Sequence, residues 1–238
     1  MSMLQESSTY PVTSGAHERV HAERTIAETA RTTRRLLLAG AVGALGFVGV
    51  ALIEGATRPG YSAWTHYVSE LSLSDQGWLQ LVNFIASGIL IVCGAVGLAR
   101  TLERGPGAVW GPRLIGIFGV GLVAAGVFVM DPTHGYPEGL ATRAPQTLHG
   151  VAGLVCFTSL GLAALVLARR FARGWAIYSA LSGLIVLGFF VTSTASDVLA
   201  KTGTIPESPT GLLQRVAIVA GWGWLALLLL RLRGQSSQ

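Results

Sequence analysis

Charge is what this chain has least of. Only 12% of its 238 residues are Asp, Glu, Lys or Arg, about half of the ~25% that a soluble domain carries. A chain so short of ions cannot cover a large aqueous surface, which excludes an ordinary soluble globule. Cysteine is scarce as well, with Cys93 and Cys156 both inside apolar runs. That excludes a disulfide-stapled scaffold, and buried thiols of this kind pack as small apolar groups. No phosphate loop, dinucleotide fingerprint or Ser-centred nucleophile motif occurs, which leaves those chemistries without a signature.

Long hydrocarbon runs take the place of charge. Six stretches come close to the ~20 residues that cross a bilayer: Leu36–Ile53, Trp78–Ala99, Pro112–Met130, Leu148–Ala168, Trp175–Thr194 and Gly211–Leu230. The expected fold is all-α, a single bundle of six transmembrane helices over residues 35–233. Residues 1–34 read as a disordered polar tail, and 234–238 as a short frayed end. Gly40, Gly43, Gly46 and Gly49 on the first span suit close helix approach. Trp78, Trp110 and Trp175 suit interfacial anchoring, whereas Trp222 and Trp224 fall midway along the sixth span and cannot both do so.

The net charge of +5 is distributed by side. Thirteen of the 17 Lys and Arg lie in the N-terminal tail, the second and fourth connections and the C-terminus. Seven of the 12 acidic residues lie on the other side. The positive-inside rule then places both termini in the cytoplasm of a multi-pass plasma-membrane protein. The bilayer is the expected partner and nucleic acid is not. Arg34–Arg35 before the first run has the look of a twin-arginine export signal, but also serves as the positive flank of an uncleaved first helix.

The polar residues that remain collect on the arginine-poor side. HYVSELSLSDQGWLQ (66–80), DPTHGYPEGLATRAPQTLH (131–149) and TASDVLAKTGTIPESPTGLLQR (194–215) hold three of the five histidines and half of the carboxylates. Polar groups at or inside spans usually face a bundle interior or a wet cavity. His66, Ser69, Glu70, Asp131, His149 and Arg215 therefore form the expected polar pocket. A helix beginning near Trp64 would set His66 and Glu70 on one face. Arg215, about 9 Å into its helix, needs a partner, for which Glu54, Glu70, Asp131 and Asp197 are candidates. His66, Asp131, His134 and His149 carry donor types suited to zinc. They are scattered over separate connections, so neither metal nor cofactor is expected.

HYVSELS entering the second span, FVMDPTHGYP after the third and TLHGVAG opening the fourth resemble, in that order, the domain-of-unknown-function family 998. The resemblance covers about residues 35–233. It implies six spans in a bacterial or archaeal membrane, and marks His66, Ser69, Glu70, Asp131, Pro132 and His149 as signature positions. It implies no substrate, cofactor or catalytic residue. The residues themselves point to binding or moving a small or lipidic ligand. The alternatives are a lipid- or envelope-directed hydrolase or transferase using His149 or His66 with Asp131, or a structural membrane protein whose polar network only ties helices together.

Overall fold

A computed structural model of the chain describes residues 14–133, 135–140 and 147–235. Six long helices follow in chain order: α1 (Ser14–Thr57), α2 (Gly77–Thr101), α3 (Trp110–Val127), α4 (Thr147–Ala168), α5 (Arg173–Lys201) and α6 (Thr210–Gln235). A short 3-10 helix, Val68–Leu73, precedes α2. No strand occurs among the described residues. All six long helices have the length and apolar composition to cross a membrane, so this is a multi-pass membrane protein. Helices are the natural result, since a span in lipid must satisfy every backbone group internally.

The first helix departs from the expected boundaries. Residues 14–34, read from sequence as structureless tail, are the opening turns of α1. Once an apolar segment holds a helix, each further residue adds a hydrogen bond without a new nucleation cost. The side chains of Thr25, Thr29 and Thr32 bond back to the carbonyls of His21, Thr25 and Glu28 at 2.8–2.9 Å.

Each helix packs on the next, and α6 closes the ring against α1. It also leans inward, touching α2 and α4. That explains Trp222 and Trp224: neither faces an interface, and both are fully buried. Every helix sends one aromatic ring toward the centre. Trp222 lies 5.3 Å from Phe47, 4.7 Å from Phe118 and 5.7 Å from Phe157. Phe84 meets Phe47 at 5.2 Å, and Phe190 stacks on Phe157 at 4.6 Å. Trp224 donates its indole N–H to the Ser179 hydroxyl at 3.0 Å.

Small residues set the closest approach. A Cβ on Gly40 would lie 2.7 Å from the Gly94 Cα, so α1 and α2 touch backbone to backbone there. Gly43 meets Leu90 and Ser87 in the same seam, whereas Gly46 and Gly49 face open space. Only half of the expected glycine stripe therefore packs. Trp78 and Trp110 stay exposed near helix starts, as anchoring needs, and Cys93 and Cys156 are free thiols.

Candidate functional site

The polar connections of α1–α2, α3–α4 and α5–α6 meet at one end of the bundle, because the helices alternate in direction. Two kinds of polar residue lie there. One kind is locked into a frame; the other lines a cleft.

Glu70 is the centre of the frame. It is fully buried, and its Oε2 accepts the Tyr67 backbone N–H at 2.7 Å. Its Oε1 accepts the backbone N–H and the hydroxyl of Thr133, at 3.2 and 3.0 Å. One carboxylate thus caps the 3-10 helix and pins the α3–α4 connection to it. The 3-10 turn also corrects one expectation: His66 precedes the helix, so it does not share an α-helical face with Glu70. His66 is buried, with Nδ1 accepting the Ser62 N–H at 2.9 Å. Its ring packs 5.3 Å from Tyr61 and 5.2 Å from Tyr136.

Arg215 reaches across to the same connection. Its guanidinium donates to the carbonyls of Ala63 (2.9 Å), His66 (3.0 Å) and Gly211 (2.9 Å), and to the Tyr61 hydroxyl. The same cation lies 5.3 Å from the Tyr61 ring centre. Among the described residues its partners are carbonyls and a phenol, and no expected carboxylate is one of them. The backbone turn at 61–67 presents several carbonyls together, which a planar five-donor fork satisfies better than one carboxylate would. Glu54 instead pairs with Arg58, which also bonds the Ser74 hydroxyl. Gln214, one residue from Arg215, accepts the Val68 N–H at 2.8 Å. Burial pushes the Tyr61 hydroxyl up to about 12, against the opposing pull of Arg215. Burial raises the Tyr67 hydroxyl further, and nearby Asp197 acts the same way.

The cleft opens beside this frame, between α4 and α5. It is a cavity of about 1280 Å³. Its loop end is polar, with Tyr67, Ser69, Asp131, Thr133, His149, Lys201 and Gln214. Its deep end is apolar, with Leu154, Phe157, Phe190 and Val191. The structure thus brings Ser69, Asp131 and His149 to the cavity wall, while His66, Glu70 and Arg215 stand behind it as framework. His149 is fixed from one side: its Nδ1 lies 2.7 Å from the Phe128 carbonyl and 3.1 Å from that of Ala125. Both partners can only accept, so Nδ1 carries the proton and Nε2 keeps the lone pair. The ring also caps the end of α3, whose last carbonyls lack helical partners. Asp131 is not its orienting group; the Asp131 Oδ2 is buried with no hydrogen-bond partner. Lys201, half exposed, bonds Asp197 one turn away at 2.8 Å.

Of the four residues with zinc-compatible donors, His66, Asp131 and His149 are among the described residues. His66 Nδ1 accepts a backbone N–H and His149 Nδ1 faces a backbone carbonyl, and His134 lies outside the described residues. Among the described residues, no three His, Cys, Asp or Glu side chains gather as a metal site. One spacing went unread from sequence: His17-Glu18-Arg19-Val20-His21 has the His-Glu-x-x-His pattern of helical zinc sites. It lies on the polar start of α1, where Glu18 and His21 are exposed, at the other end of the bundle from the cavity.

A buried polar row in α2 was also missed. Asn83 donates to the Phe47 carbonyl (3.2 Å) and to Gln80 (3.1 Å), and accepts from Ser87 (3.3 Å). The signal was legible as three polar residues at helical spacing inside an apolar run.

The family described as protein of unknown function (DUF998) matches residues 41–231. No curated protein and no solved structure matches the chain.

Proposed function

The chain belongs to that family of unknown function, and on this premise we propose that it binds a membrane amphiphile in the α4–α5 cleft, from the leaflet on the side away from its termini. The polar head lies among Ser69, Asp131, Thr133, His149 and Lys201, and the chain runs down along Leu154 and Val191. One observation carries this reading: a single cavity changes from polar to apolar along the direction of the helices. Ligand pockets are mostly apolar with a few placed polar groups, and this gradient matches a lipid's own. The arginine asymmetry supports termini on the cytoplasmic side and an outward mouth.

The test is native mass spectrometry of the purified chain after brief delipidation and addition of phospholipid. Wild type should retain lipid, and Gly150→Trp, which fills the cavity wall where a Cβ meets nothing within 4 Å, should lose it. Equal retention by both would remove the cleft from consideration.

A second reading rests on His149. A histidine whose Nδ1–H is held by carbonyls presents Nε2 as a base, which suits a hydrolase or transferase acting on the same amphiphile. Ester turnover abolished by His149→Gln, with lipid retention unchanged, would establish it.

A further inference from the structure

We propose that the stacked pair Phe157–Phe190 is the floor of the α4–α5 cleft and selects lipids by the length of one acyl chain. This rests on the lipid-binding reading of that cleft. The two helices form a wedge. Near the loop end, Gly150 and Gly153 on α4 have nothing within 4 Å of an added Cβ, and both line the cavity. Below the aromatic pair the helices close: a Cβ on Gly183 would lie 2.8 Å from the Gly161 carbonyl, and one on Gly161 would lie 2.6 Å from Leu187. Between open and closed halves the two rings lie nearly parallel, 4.6 Å apart at 11°. They are the deepest lining residues on their helices. Phe157 is backed by Trp222 at 5.7 Å, so the floor leans on the central aromatic cluster.

The depth is set by helix rise. From Thr147 to Phe157 is about 15 Å, and from Lys201 to Phe190 about 16 Å, at ~1.5 Å per residue. Half of a ~30 Å hydrocarbon core is about the same length. The floor therefore lies near the bilayer midplane, and the cleft holds a chain drawn from one leaflet. The side of the wedge is open, because Leu154, Val191 and Val198 line it and are exposed. A membrane lipid can enter sideways without leaving the bilayer.

The experiment uses the full chain in nonionic detergent and lysophosphatidylcholines from octyl to octadecyl, read as thermal stabilisation. In wild type, stabilisation should rise with chain length and stop rising at the chain that reaches the floor. Phe190→Ala should move that break to longer chains, and Leu154→Trp, one turn nearer the mouth, to shorter ones. A break at the same chain length in all three proteins overturns the floor, and so does a rise without a break. Gly153→Trp separates the two ideas. Loss of stabilisation by every chain in that variant upholds binding in the cleft whatever the floor does. Unchanged stabilisation there removes the binding reading and the floor with it.

Discussion

The α1–α2 seam and the α4–α5 cleft are built from similar residues and reach opposite ends. Both pair Gly-rich apolar helices beside polar connections. In the seam, Gly40 lies against Gly94, and the polar groups Asn83, Ser87 and Phe47 O satisfy one another. In the cleft, Gly150 and Gly153 face space, and Asp131 has a carboxylate oxygen without a partner. Glycine at a seam is a contact, while glycine on a cleft wall is room. Polar residues divide less cleanly: Gln80 keeps a buried Nε2 without a partner in the seam, as Asp131 keeps its Oδ2 at the cavity wall.

The largest predicted effect tests the frame. Glu70→Ala removes the acceptor of three described hydrogen bonds from a fully buried site. It should lower stability by about 3 kcal/mol, the upper range for bonds to a charged group, in thermal unfolding in mild detergent. An unchanged midpoint would end the distinction between frame and cleft. Next comes Gly40→Val, which must push α1 off α2 and should cost about 2 kcal/mol by overpacking. Gly150→Ala on the cleft wall should stay within about 0.5 kcal/mol of wild type, as open sites do. Equal losses at the two positions would mean that the cleft is closed in the membrane.

Smaller is Arg215→Lys, which keeps the charge and loses the fork that holds three carbonyls. We expect a loss of about 1 kcal/mol with lipid retention intact, because this residue is framework. Loss of lipid binding at normal stability would move it into the site. The smallest effect is a pH dependence. The folded Tyr61 hydroxyl is raised from 10 to about 12. Its contribution is therefore fully present below pH 10 and lost as pH rises toward 12. Tyr61→Phe should flatten that part of the stability profile.

Much of this was legible in residue order. HYVSELS marked a polar insertion, and six long runs marked the spans. Arg215 was read as a deep charge needing partners, which it has. Their type was not legible, because backbone carbonyls carry no signature in a sequence and become a receptor only when the 61–67 turn folds. His66 and Glu70 were set on one face because spacing assumes an α-helix, and the 3-10 turn breaks that assumption. The stacked rings of Phe157 and Phe190 are 33 residues apart by their own numbers and could be paired only by the packing of α4 on α5.

The sequence by itself determined that this is a helical membrane protein with six spans, because span length and the need to satisfy backbone groups in lipid are local properties. It also determined which end of the bundle is polar, since alternating direction follows from counting spans. Tertiary structure alone decided which glycines touch and which open a cleft, and which polar residues are consumed by one another. Those outcomes depend on the rotation of each helix about its axis. Rotation is set by the mutual fit of side chains around Trp222, and no single segment contains that information.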